Sequence, residues 1–193
     1  TTVREFMQRY QIAELHAARV GSLATQLWRD LVESAKVALA PPLADDPEGA
    51  DRLIQWAAAL HEVGRSIAHN GYHKHSAYIL SNADMPGFSK REQLALSTIV
   101  LGHTGKLPKI KDQVQHEDDW RLVSCVRLAA LLFRSRNDAP MPRVHYRAEK
   151  NGYRLELPRD WLESNPLTEY DLRQEVDEWR RVGRDLAIRV SPA

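Results

Sequence analysis

Over the first two-thirds of the chain, apolar residues return every three or four positions. From residue 14 to about residue 39, His16, Val20, Leu23 and Leu27 follow at spacings of four, three and four and so share one stripe of a helix. Pro41, Pro42, Asp45, Asp46, Pro47 and Gly49 then make a loop. The helical period resumes over residues 51–63, where Ile54, Ala57, Ala58 and His61 fall on a common face, and Gly64 closes it. A turn at Asn70-Gly71 leads to a short helix over 76–80, and Pro86-Gly87 breaks the chain again. Ser89 with Glu92 three residues on is a capping-box pattern, and it opens a helix through His103 on which Leu96, Ile99 and His103 share a face. Residues 118–133 are almost all apolar after Trp120 and Arg121, which predicts a central helix.

Beyond Pro140 the period shortens to two. "VHYRAEKNGYRLELP" alternates around Asn151-Gly152, the dipeptide most favoured in type I′ turns, so residues 144–148 and 153–157 are expected to pair as a hairpin. A helix from Thr168 to about Val182 and a last alternating stretch over 185–190 complete a ββαβ unit. The expected fold is mainly α, with a helical domain over 1–139 and a small α/β subdomain over 140–193. There is no internal repeat.

Composition sets the class. A chain of 193 residues, 43% hydrophobic and 27% charged, has the makeup of a soluble globular protein. Its lone cysteine, Cys125, lies in the apolar run and has no internal partner, which fits a core thiol in a reducing compartment. No apolar segment approaches the ~20 residues that cross a bilayer, and no signal-peptide pattern opens the chain. Thr1 stands where a start methionine would, so the chain is expected to be a piece of a longer protein. The net charge is only +1, yet residues 61–111 hold seven Lys/Arg against three Asp/Glu and five of the eight histidines. The basic surface is thus concentrated mid-chain.

His16, His61 and His103 all fall on apolar helix faces. Each alone reads as a core histidine. Together with Glu62 they form the imidazole and carboxylate set that holds a zinc-like ion, although spacing does not establish that they converge. "GHTGK", from Gly102 to Lys106, is too short between its glycines for a P-loop and carries no nucleotide site.

"HAARV", "AALHEVG", "HKHSAYIL" and "STIVLGH", in that order, resemble a degenerate member of the HD phosphohydrolase superfamily, whose metal is held by a first His, a His-Asp pair and a distal Asp. More closely, "LHEVG", "HNGYHKHSAYIL", "DMPGF" and "LPRDWLESNPL" resemble the C-terminal region of the exopolyphosphatase/guanosine pentaphosphate phosphatase family, over essentially the whole chain. The resemblance implies an HD-like helical domain. His16 matches the first histidine and His61 the histidine of the pair, while Glu62 replaces the Asp. In "VRLAALLFRSR" the distal position offers only Leu128, Ala129, Ala130 and Leu131, none of which ligates a metal. His16, His61, Glu62 and His103 are therefore expected to be a vestigial set, with no metal and no catalytic residue in this chain.

In that family hydrolysis belongs to upstream actin-like domains absent here, and the parent enzyme is expected to need Mg. The chain looks like the accessory half, which binds polyphosphate along a basic channel and supports a homodimer. Trp56, Trp120 and Trp161, near predicted element ends, fit the dimer. A polymer with roughly one charge per residue calls for spread cations rather than one deep pocket. Arg65, His69, His73, Lys74, His75, Lys106, Lys109 and Lys111 are the expected ligand set, with Arg134 and Arg136 after the central helix. His69, His73 and His75 are expected to gain charge beside an anion as pH falls through ~6.5. Nucleic acid and a transmembrane segment are not expected, and the expected location is cytoplasmic or peripheral to the inner membrane. The runner-up is an independent HD-type metal-dependent phosphohydrolase acting on a nucleotide or guanosine polyphosphate.

Overall fold

The computed structural model describes residues 1–46, 48–136 and 140–192. Among them are eight α-helices and, near the C-terminus, a three-stranded sheet. The fold is mainly α with a small C-terminal α/β portion, as the change of period implies.

Helix α1, Thr2–Arg9, starts on a Thr1 side-chain cap and buries Phe6; it lies before the first periodic stretch expected. Helix α2, Glu14–Ser34, buries Val20, Leu23, Ala24, Leu27 and Leu31. It stops five residues short of the expected end. The chain leaves helical space at Ala35, where ψ is 139°. Helix α3, Gly49–Leu60, packs against α2 and ends at His61, its C-cap. Helix α4 runs Tyr72–Asn82, starting four residues before the expected helix because Gly71, at φ 66°, supplies the left-handed turn ahead of it. Helix α5, Lys90–Gly102, opens on the expected Ser89–Glu92 capping box and ends on His103.

Helix α6, Glu117–Leu132, is the central one. Leu122, Val123, Cys125, Val126, Leu128, Ala129, Leu131 and Leu132 are all buried, and burial pushes the Cys125 thiol well up, consistent with an inert core thiol. In its first turn Asp118 and Asp119 accept from the Ala40 and Leu43 backbone N–H groups, at 2.8 and 2.9 Å, tying down the loop after α2.

Strands β1, His145–Glu149, and β2, Gly152–Pro158, form the expected antiparallel hairpin around Asn151-Gly152. Strand β3, Asp185–Ser191, pairs parallel to β2, so the sheet order is β1-β2-β3. The crossover holds two helices instead of one, α7 (Arg159–Ser164) and α8 (Pro166–Arg180). Pro166 cannot continue α7 but is well suited to the first turn of α8, which makes the tail ββααβ.

The boundary expected at 139/140 falls at residues 137–139, which lie outside the described residues. Buried side chains on both sides of it belong to one apolar cluster, from Phe6 to Leu186. Polar contacts join them too: Asp30 and Ser34 on α2 accept from the Tyr146 and Ala148 N–H groups of β1, at 3.2 and 2.9 Å. The strongest link is Arg127 of α6, only 4% exposed, whose Nε donates to both oxygens of Glu175 on α8 at 2.9 and 2.8 Å. Its Nη1 and Nη2 donate to the carbonyls of Gly102 and Gly105, at 3.2 and 2.6 Å, and Trp179 donates to Glu175 at 3.1 Å.

A buried guanidinium stripped of its carboxylate is costly, so Glu175→Ala should destabilise the protein by about 3–5 kcal/mol in urea unfolding. Replacing the whole pair, Arg127→Met with Glu175→Leu, should recover most of that loss, because no charge is then left unpaired.

Candidate functional site

The ends of the helices meet at one cavity. His16 comes from the first turn of α2, His61 and Glu62 from the end of α3, Tyr72 from the start of α4, and His103 and Thr104 from the end of α5. Arg65 enters from a single 3₁₀ turn, Val63–Ser66, and Ala130, Arg134 and Arg136 from α6 and the residues after it. The cavity, about 240 Å³, is also lined by His69.

Local chemistry explains the placement of the imidazoles. His61 Nδ1 donates to Ala58 O at 2.8 Å and His103 Nδ1 donates to Val100 O, each closing the last turn of its own helix. These bonds keep the proton on Nδ1 and leave Nε2 as an acceptor. The Tyr72 hydroxyl donates to His103 Nε2 at 3.1 Å, and the His61 and His103 rings meet edge-on with centroids 4.9 Å apart. Gly64 holds this segment against α4. Its N–H donates to Ser76 Oγ at 2.8 Å, and a side chain there would collide with the α4 backbone at Tyr72 and Ser76.

The electrostatics are dominated by Glu62 and the arginines. His16 Nε2 lies 4.0 Å from Glu62 Oε2, and one donor atom from each of His16, His61 and Glu62 falls within 4.8 Å of the others. That is compact enough to surround an ion. The same Oε2, however, accepts from Arg65 Nη1 at 3.0 Å and from Arg136 Nη2. Arg136 reaches it from a left-handed backbone, φ 55°, which costs a non-glycine residue about 1–2 kcal/mol. Burial works to raise the Glu62 carboxyl, but His61, Arg136 and His16 outweigh it and hold it below the usual value. Burial drives the imidazoles the other way: His16 falls to about 4, His61 is lowered and His103 is held well below the usual range. Burial, with Glu62 nearby, also lifts the Tyr72 hydroxyl to about 12. Around the lowered imidazoles of His16, His61 and His103 the pocket thus has one carboxylate and three guanidiniums, of which Arg134 pairs with Asp171 at 3.0 Å.

The four candidates His16, His61, Glu62 and His103 all line the cavity, with His16, His61 and Glu62 forming the compact donor group, and Ala130 is the residue among Leu128 to Leu131 that lines it, presenting a methyl group. The structure divides the eight expected ligand residues. Arg65 and His69 line the cavity, while Lys74, Lys106 and Lys111 are exposed and His75 is half-buried. His73 and Lys109 pack instead beside the 102–105 turn, where Lys109 Nζ donates to Thr104 O at 2.6 Å. Burial, with Arg127 and Lys74 close by, lowers Lys109 to about 8. His73 is only 8% exposed, and burial, followed by Lys109 and Lys74, holds it near 4. The expectation that His73 charges near pH 6.5 is therefore corrected, for a protonated ring there would be desolvated beside two ammonium groups. Sequence reasoning missed Tyr72 and Thr104. Tyr72 adjoins the histidine-rich stretch, and Thr104 sits in the string set aside as a failed P-loop.

Imidazoles, a carboxylate and guanidiniums thus gather at the helix ends of a helical body that is followed by a small α/β tail. The family described as Ppx/GppA phosphatase, domain III, matches residues 1–176, and the chain belongs to it. Several relatives carry the name guanosine-5'-triphosphate,3'-diphosphate pyrophosphatase. That of Pseudoalteromonas translucida is 32% identical over 190 residues, covering 97% of this chain and 37% of its own length. The Vibrio cholerae protein is 31% identical over 189 residues (97% and 36%), and that of Aeromonas hydrophila 30% over 186 (94% and 36%). The chain spans little more than a third of these relatives. No helix among the described residues is long and apolar enough to cross a membrane.

The buried imidazoles impose a pH dependence. His16 and His73 take up protons near 6.5 when unfolded but only near 4 in the fold, so the unfolded chain binds more protons between those values. Stability is then complete above pH 6.5 and declines as pH falls from there toward 4. The urea midpoint should drop across that interval, and His16→Gln combined with His73→Gln should lessen the slope; an equal slope in that variant would assign the effect to other groups.

Proposed function

We propose that this chain is the C-terminal accessory domain of an exopolyphosphatase, HD-like in its helical part. It binds polyphosphate on its basic surface and supports a homodimer. Hydrolysis, and the Mg it needs, belong to actin-like domains upstream in the same polypeptide. The observation that carries this reading is the state of Glu62: its Oε2 is occupied by Arg65 and Arg136, and Ala130 supplies no further ligand. A divalent cation placed there would face two guanidiniums for one carboxylate, and so the domain holds no metal and no catalytic residue. The exposed Lys74, Lys106 and Lys111, with Arg65 and His69, supply spread positive charge for a polymer. The relatives' name adds a guanosine polyphosphate as a substrate for the whole enzyme, another polyanion. The domain works in the cytoplasm or at the face of the inner membrane.

One observation favours the second reading, a metal-dependent phosphohydrolase: the His16, His61 and Glu62 donors lie within 4.8 Å of one another. Elemental analysis separates the two, because a near-equimolar metal that survives dialysis, with hydrolysis lost in His61→Ala, would establish the second.

For the polymer, log affinity for long polyphosphate should fall linearly with log salt. The slope should shrink by about 0.7 for each lysine removed in Lys106→Ala with Lys111→Ala. Lys109 is left intact because it holds the Thr104 carbonyl. Equal losses in the control, Arg4→Ala with Arg173→Ala, would leave only nonspecific attraction. Light scattering on the intact parent enzyme should return twice its chain mass, and a monomer would remove dimerisation from the reading.

A further inference from the structure

We propose that the pocket around Glu62 is an oxyanion site for a terminal phosphoryl or diphosphate group, and that the Glu62 carboxylate holds the place of that anion in the free protein. The inference rests on the phosphate chemistry of the reading above but concerns one pocket, which shares Arg65 and His69 with the surface track and lacks its exposed lysines.

The first argument is charge. Arg65 and Arg136 both donate to a single oxygen, Glu62 Oε2, so two guanidiniums face one carboxylate. A guanidinium presents five N–H donors in a planar fork that matches carboxylate and phosphate alike. A phosphoryl group offers three oxygens to that pair where Glu62 uses one. Exchange of carboxylate for phosphate therefore gains acceptor oxygens for the same N–H donors and leaves neither guanidinium unpaired.

The second is shape. The cavity, about 240 Å³, lies below the ~300–1,000 Å³ of sites for drug-sized ligands. It has room for a phosphoryl or diphosphate group. The third is the lining. Ala130 contributes a methyl group, and Glu62 is the one carboxylate among the lining residues, so no second carboxylate repels an anion. His61 Nε2, the ring's acceptor, can take the P–OH hydrogen of a partly protonated phosphate. The fourth is backbone geometry: Arg136 adopts a left-handed conformation, and that arrangement directs its guanidinium to Glu62.

The source of the group is either the end of a phosphate chain or the diphosphate of a nucleotide. Calorimetric titration of the protein with inorganic pyrophosphate, at constant ionic strength, tests the site. The unmodified protein should bind pyrophosphate. Glu62→Gln, which removes the competing charge and keeps the side-chain shape, should tighten binding about tenfold, as expected for one charged hydrogen-bonding competitor. Ala130→Asp and Arg136→Gln should each weaken it about tenfold or more. These variants change the pocket charge in opposite senses at different positions, and thermal melts identify any that fail to fold. Unchanged or weaker binding in folded Glu62→Gln, or no pyrophosphate binding by either protein at millimolar concentration, overturns the proposal.

Competition assigns the source. Tripolyphosphate displacing pyrophosphate where guanosine diphosphate does not would assign chain ends, and equal displacement by both would assign a diphosphate from either source; both results support the site. The salt slopes of long polyphosphate, measured on the same variants, keep the two readings apart. Polymer binding governed by Lys106 and Lys111 without pyrophosphate binding sinks the pocket and spares the track, and the reverse pattern sinks the track alone.

Discussion

Arg127 is the constraint on which the arrangement of this protein depends. A guanidinium cannot be buried at 4% exposure without a carboxylate and further acceptors, because its desolvation would cost several kcal/mol. The fold satisfies it from three directions at once: Glu175 on α8, Gly102 O at the end of α5, and Gly105 O in the following turn. One side chain on the central helix thereby fixes the C-terminal tail and the turn that brings His103 and Thr104 to the cavity. Trp179 adds to the anchoring of the tail, since it also donates to Glu175 and meets Trp120 and Tyr153 edge-on.

In front of that support, two histidines do structural work that shapes their chemistry. His61 and His103 each cap their own helix by returning Nδ1 to a carbonyl of the last turn, so their burial and tautomer have one cause. Neutral imidazoles leave the sign of the pocket to Glu62 and the arginines. Among these, Arg136 comes from beyond α6 and adds a second guanidinium to a carboxylate already held by Arg65. Geometry that resembles a metal centre thus carries a surplus of positive charge. The same backbone can present either character, depending on whether one wall carries a carboxylate or a methyl group and whether arginines reach the carboxylate that remains.

The helical period, the capping box at Ser89, the Asn151-Gly152 hairpin and the apolar run of α6 were legible in the order of residues, for each depends on interactions within a few positions. So were the candidate imidazoles and Glu62, whose types and helix faces were written locally. Family membership was legible as well, from strings such as "LHEVG" and "HNGYHKHSAYIL". The end of α2, the start of α4 and the division between α7 and α8 were less so. The last two turn on glycine and proline geometry at single positions, Gly71 and Pro166, which a periodic pattern blurs.

Only the tertiary structure decided which of these residues meet. Sequence spacing placed His73 and Lys109 with the exposed cations, whereas packing against the 102–105 turn buried His73, half-buried Lys109 and made their charge costly. It also selected Ala130 from four apolar neighbours as the pocket wall and brought Arg136 to Glu62 across 74 positions of sequence. Local pattern determines which face of a helix is apolar and which side chains can carry charge. The sign of a buried site depends on distances between groups far apart in the chain, and Coulomb attraction and desolvation act on those distances alone.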